Sequence, residues 1–323
     1  MPSTKDIQRR IKSVNSTKKI TRAMEMVSAA KMRKAVEAVL KTRTYANLSW
    51  ETVLNLSKAV NGNEELHPLL RKREKIKKIG IVLITSNRGL CGGFNSAIIN
   101  KIHQSIKKYH YKGEKVIIEA EFVLVGKKGA AIYHRHGHNI VAEFTKLDLA
   151  SEVKEIVPVA KIIISDYLSG KYDKIMVAYT DFVNPAKQIP RIKQILPIDI
   201  NSEEEYLGIV GEDTRLKTTK EFIKDKKEEH LKVNEGFQEY IFEPSPREVL
   251  DDMIPRLIEI QLYQALLESN ASEHSARMAA MRQATEAAND MVNELTLFYN
   301  KARQASITAE IAEISAGANA LAE

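Results

Sequence analysis

The sequence predicts an α/β chain: a long antiparallel coiled coil of the N- and C-terminal helices, plus a central, mostly parallel sheet domain. Three observations carry this. No Gly or Pro interrupts residues 3–61 or 256–316, while 13 of the 14 Gly lie between those stretches. Both stretches place apolar residues at three- and four-residue steps. The middle alternates β-branched apolar runs with helical spacing, the pattern of an open, Rossmann-like sheet. At 1.5 Å per residue each end can form a rod of roughly 80–90 Å. A domain of ~150 residues cannot cover such a rod, so each apolar stripe finds its simplest partner in the other.

The first helix is expected within residues 1–61. Ser3 or Thr4 suits its N-cap and Asp6 its first turn. Ile7, Ile11, Val14, Met24, Val27, Lys31 and Ala35 form an interrupted stripe, rich in Ala and Met. The helix should fade at Asn61-Gly62-Asn63, before Pro68. A central α/β domain is expected over 75–200. Residues 79–85 (IGIVLIT) and 174–179 (KIMVAY) read as buried strands, and 116–125 as a third. Residues 94–108, 127–136 and 151–168 read as helices. Residues 201–243 are expected to form a charged excursion, extended or partly disordered over 201–239. The last helix is expected over 246–321, after Pro244 and Pro246. Its broad face of Leu250, Met253, Ile254, Leu257, Ile258, Leu262, Leu266 and Leu267 narrows to Met278, Met281, Thr285, Ala288, Val292, Leu295, Tyr299 and Ala302. Pro255 lies early enough in that helix to be tolerated, though deeper it would kink it.

Composition narrows the function. Of 323 residues, 44% are hydrophobic and 28% charged, as in ordinary globular chains. No apolar run reaches the ~18 residues that cross a bilayer, and no signal-peptide core opens the chain. A cytosol-side protein is expected, meeting the membrane only through a partner. The single Cys91 excludes an internal disulfide. Net charge is +7, unevenly spread. Residues 1–58 hold 13 Lys and Arg against 4 Asp and Glu, a balance of +9. Residues 201–240 hold 7 against 11, a balance of −4. A basic rod invites an acidic partner, although a solvated basic face gives the same count.

No motif makes a convincing active site. Residues 85–94 (TSNRGLCGGF) lie between a strand and a helix, where phosphate loops sit. Their spacing is Gly-x-x-Gly-Gly, which matches neither the dinucleotide fingerprint nor the Gly-x-x-x-x-Gly-Lys-Ser/Thr loop. The plainer reading is a tight turn. His134, His136 and His138 could ligate a metal only on a strand, and a solvated loop fits them better. Cys91 has no evident His or Asp partner. No cofactor or metal is expected. A nucleotide-dependent enzyme and a coiled-coil nucleic-acid binder are the competing classes. The first has the wrong glycine spacing, and the second has only Tyr45 and Trp50 as aromatics on its basic helix.

Three ordered segments resemble the gamma subunit family of the bacterial F-type ATP synthase. They are 20–33 (ITRAMEMVSAAKMR), 88–95 (RGLCGGFN), and 299–308 (YNKARQASIT) with 311–317 (IAEISAG). The resemblance covers almost the whole chain. It implies a non-catalytic rotor shaft of a proton-driven synthase, coupling rotation of the membrane c-ring to ATP synthesis or hydrolysis on the beta subunits. The implied partners are the alpha, beta and epsilon subunits and the c-ring, with no nucleic acid. The implied location is peripheral, at the cytoplasmic face of the bacterial inner membrane. By position, Met24, Arg303 and Gln304 match rotor–stator contacts, the last two to an acidic loop of the beta subunit. Tyr240 and Glu243 match the foot that touches the c-ring. Residues 201–236 depart from the family pattern in being longer and more charged.

Overall fold

The computed structural model describes residues 4–60, 67–71, 73, 76–111, 119–147, 152–198 and 245–322. The elements are α1 (Thr4–Val60), β1 (Lys78–Ile84), α2 (Phe94–Tyr111), β2 (Glu119–Val125), α3 (Lys127–Arg135), β3 (Ile140–Phe144), α4 (Val157–Leu168), β4 (Lys174–Asn184), β5 (Lys187–Leu196) and α5 (Pro246–Ala322). The expected excursion at 201–236, and the foot residues Tyr240 and Glu243, lie outside the described residues. The chain divides into two compact units, Met1–Ser28 with Arg277–Glu323, and Ala29–Ala276.

In the first unit the terminal helices run antiparallel. Lys18 Nζ donates to Asn289 Oδ1 at 2.6 Å, and Thr285 Oγ1 donates to Thr21 Oγ1 at 2.8 Å. Moving forward along α1 therefore moves backward along α5. On α5 the narrow stripe stands as expected: Met281, Thr285 and Ala288 are buried, and Met278, Val292, Leu295, Tyr299 and Ala302 half-buried. These positions alternate steps of three and four, the seam of a coiled coil. On α1 the inward positions are Ile7, Ile11, Val14, Lys18, Thr21, Glu25 and Ser28. The expected stripe is corrected at Val27, which is 56% exposed. The heptad continues through polar residues there, so a reading of apolar residues alone drifts onto the neighbouring face. Beyond Ala302, residues 303–316 are all exposed.

The second unit holds a five-stranded sheet in the order β3-β2-β1-β4-β5. β3, β2, β1 and β4 are parallel, and β5 pairs antiparallel with β4. The unbroken apolar run of β1 follows from cover on both faces. Ile79, Ile81 and Leu83 pack with Ile98, Ile102, Phe122 and Tyr133 on the α2–α3 side. Val82 and Ile84 pack with Val159 and Ile163 of α4 and Leu262 and Leu266 of α5 on the other. Each such side chain, once buried, contributes about 1.5–3 kcal/mol. β3 and β5 were not foreseen. β3 is short and only partly buried, and β5 carries Lys187, Arg191 and Lys193 at an edge. The β4–β5 turn is fixed by Asn184 Oδ1, which accepts from the amides of Ala186 and Lys187. The expected helix at 151–168 resolves into a short 3₁₀ turn (Val153–Glu155) and α4, with Pro158 in its first turn.

α5 begins with a serine N-cap. Ser245 Oγ accepts from the Glu248 amide at 3.3 Å and meets the Glu248 carboxylate at 3.2 Å, while Pro246 takes the first helical position. The helix continues through Pro255. Its broad apolar face is buried as expected, apart from half-buried Met253. From Ile260 to Ser275 every residue is buried, because sheet residues and Ala35 and Val39 of α1 belong to the same core cluster.

Candidate functional site

The glycine-rich loop follows β1 at the parallel sheet's carboxyl end, the usual ligand side of such folds. Here it is filled by its own polar groups. The Ser86 amide donates to Asn95 Oδ1 at 3.0 Å, and Asn95 Nδ2 donates to Ser86 Oγ at 2.7 Å. Ser86 Oγ donates to the Arg88 carbonyl at 2.8 Å. Cys91 is buried, 3.5 Å from Asn95 Nδ2. An amide that would face a phosphate is thus occupied by a side chain. Thr85 closes the loop from below, accepting from the Gly129 amide at 3.0 Å. A Cβ on Gly126 (φ +109°) would stand 2.3 Å from the Thr85 carbonyl oxygen, so only glycine fits. Gly126 and Gly129, outside the loop itself, serve close packing of β1, β2 and α3.

The three histidines do not form a ligand set, and among the described residues no cluster suits a metal ion. His134 pairs with Glu143, a partner that sequence distance hid. His136 Nδ1 lies 2.8 Å from the Ile132 carbonyl oxygen. The His138 ring packs at an angle against Tyr133 (4.7 Å), Phe122 (5.5 Å) and His103 (5.6 Å). Burial, then the charges of His103 and His136, hold His138 below the ordinary histidine value. Burial, His136 and Lys107 act the same way on His103.

The predicted contact residues divide. Met24 lies in the first unit, half-buried on α1. Arg303 and Gln304 are exposed on α5, just past the last inward position, Ala302. The exposed Ile307, Ile311 and Ile314 follow at three- and four-residue steps, 48%, 63% and 72% exposed. Arg303 thus stands at the head of an exposed apolar stripe.

Sequence reasoning missed a buried polar stretch on α5. Gln261, Gln264, Glu268, Asn270, Ser272, Glu273 and Ser275 are buried. Lys146 Nζ lies 2.5 Å from Glu273 Oε2, with side chains 1% and 3% exposed. Asp181, fully buried, pairs with Arg191 at 2.7 Å. Burial, with Glu268 and Asp181 nearby, raises the Tyr179 phenol well above its ordinary value. The available signal was the run of Gln, Glu, Asn and Ser on a helix whose other residues were destined for the core.

Helices coiled antiparallel in one unit, and a sheet in the other whose loop is filled from within, define an α/β coiled-coil protein. They do not define a nucleotide-binding one. The ATP synthase family model matches residues 3–321. The ATP synthase gamma chain of Roseiflexus castenholzii is 41% identical over 323 residues, covering 100% of both chains. That of Legionella pneumophila (strain Corby) is 38% identical over 321 residues, 99% of this chain and 100% of its own. In a cryo-EM structure of the Euglena gracilis mitochondrial ATP synthase rotor, one chain shares the fold at a TM-score of 0.58. It is 18% identical, and the match covers 94% of this chain and 98% of that one. The chain belongs to the ATP synthase gamma chain family.

Proposed function

We infer that this chain is the central rotor shaft of a proton-translocating ATP synthase, coupling c-ring rotation to synthesis or hydrolysis at the beta subunits. One observation carries the reading: the two terminal helices form one antiparallel coil, in register through Lys18–Asn289 and Thr21–Thr285. Such a helix pair presents different side chains around its axis. Three identical neighbours around it meet three different surfaces, so each is stabilised in a different state. Support comes also from full-length identity to gamma chains.

The shaft itself is non-catalytic in this reading, since its glycine loop is occupied by its own side chains. Residues 1–61 and 246–321 are its helices, 75–200 its sheet domain, and 201–243 its charged excursion and foot. Met24, Arg303 and Gln304 meet the alpha–beta stator, Arg303 forking onto carboxylates of a beta-subunit loop. Tyr240 and Glu243 meet the c-ring, and the sheet domain meets epsilon. No helix among the described residues is long and apolar enough to cross a membrane. In the rotor reading the chain sits peripherally, at the cytoplasmic face.

Co-purification tests this. A tagged chain expressed with its synthase operon should bring down alpha, beta and epsilon subunits as an active ATPase. A tagged chain that emerges alone, while the other subunits assemble without it, overturns the reading.

A further inference from the structure

Two side chains of the glycine-rich loop, Asn87 and Phe94, meet Lys146. Asn87 Oδ1 accepts from the Lys146 amide at 3.3 Å, and Asn87 Nδ2 donates to the Lys146 carbonyl. The same Oδ1 accepts from the Lys127 amide at 3.3 Å, tying Lys146 to the start of α3. The Phe94 ring lies 5.6 Å from the Lys146 ammonium. The backbone and the head of Lys146 are thus both held, and the head meets Glu273 on α5.

That ion pair belongs to a row of polar contacts along one short stretch of α5. Asn270 Nδ2 donates to the Leu147 carbonyl at 3.4 Å. Ser272 Oγ donates to the Thr180 carbonyl at 3.0 Å, and Ser275 Oγ to the Pro185 carbonyl at 2.8 Å. Earlier in α5 the grip on the core is apolar, through Leu250, Ile254, Leu257, Ile258, Leu262 and Leu266. Apolar contact is non-directional, so it resists a small turn of a helix about its axis only weakly. A buried ion pair tolerates one arrangement, because displacement leaves two desolvated charges apart. Fixing register is the best-attested use of buried polar groups.

We propose that residues 85–95 form the seat of Lys146, and that the Lys146–Glu273 pair locks α5 against the sheet so that torque enters the helix without slip. Asn87 and Phe94 are positioning residues, and Lys146 and Glu273 are the lock. The proposal rests on the rotor reading, and it gives the glycine-rich signature a task in a chain that binds no nucleotide there.

The experiment is a set of variants in the assembled, membrane-reconstituted synthase, read as ATP-driven proton pumping per ATP hydrolysed and as thermal stability. Lys146→Met and Glu273→Leu, each alone, should lower the melting temperature by leaving one charge buried. The double variant removes both charges and should regain the parental melting temperature. Pumping per ATP should stay down by about threefold in the double variant, as expected when coupled neighbours lose their interaction. Recovery of pumping together with stability would mean a packing role alone and overturns the proposal. If the double variant does not assemble, Asn87→Ala decides, since both charges remain but their seat is lost. Coupling that falls in it supports the lock, and unchanged coupling overturns it. A parental chain that fails to couple at all would instead sink the rotor reading.

Discussion

Arg303 is the last basic residue of the chain, and only Glu310, Glu313 and Glu323 carry charge beyond it. Both it and Gln304 are exposed within the chain, so their contribution to folding is small. Replacing both by Ala should change stability by less than about 0.5 kcal/mol, because surface sites away from caps and buried partners tolerate substitution. The assembled double variant should nonetheless lose ATP synthesis and hydrolysis, measured as turnover in purified complexes. Parental turnover in an intact complex would show the two side chains to be passengers. Gly129 gives the opposite case. A Cβ there would stand 2.6 Å from Thr85 Oγ1 and 2.8 Å from its Cγ2. Gly129→Ala should destabilise the sheet unit by about 1–3 kcal/mol through overpacking, read by denaturant unfolding. Thr85→Ala in the same background should return part of that loss by clearing the hydroxyl and methyl.

Among the elements, the antiparallel pairing of α1 and α5 is testable directly. Single cysteines replacing Lys18 and Asn289 should crosslink readily with a short bifunctional reagent, given the 2.6 Å contact of the native side chains. Cys91 is buried and will not interfere. A cysteine at Lys18 that crosslinks instead to position 299 would break the proposed register, since Thr21 meets Thr285. The contact between α2 and the α3–β3 connection has a pH signature. His103 and His138 have values lowered by burial first and by neighbouring positive charge second. The unfolded chain therefore takes up protons first as pH falls below the ordinary histidine value. Stability is complete above that value and declines below it. Melting temperature should fall between about pH 7 and pH 5.5, and His103→Gln with His138→Gln should flatten the decline. An equally steep decline in the double variant would move the cause elsewhere. Much of this level was readable in advance. The α5 stripe from Met278 to Ala302 faces inward at every position expected, because Ala and large apolar residues there keep the heptad visible. The α1 seam was readable only from Ile7 to Val14, because beyond it Lys18, Thr21 and Ser28 occupy inward positions and carry no apolar signal. β5 was hidden for a related reason: an edge strand keeps charges that a buried strand loses.

At the scale of the molecule, charge is the property with a consequence for assembly. Residues 1–58 carry a balance of +9 within a total of +7. Association of the chain with the alpha–beta assembly should therefore slow by about tenfold or more between ~0.05 M and ~0.5 M salt, as screening shortens to a few ångströms. Stopped-flow association that is indifferent to salt would show the basic face to be merely solvated. By itself the sequence determined the fold class, the positions of most helices and of the buried strands β1 and β4, and the family. Those features rest on local periodicity, on breakers, and on motifs contiguous in the chain. Only the tertiary structure decided that the glycine loop is filled from within, that His134 pairs with Glu143, and that Lys146 meets Glu273. Lys146 and Glu273 stand far apart along the chain, and each alone reads as a solvated charge. Burying a charge is tolerable only beside its partner, and which partner arrives depends on how α5 lies on the sheet.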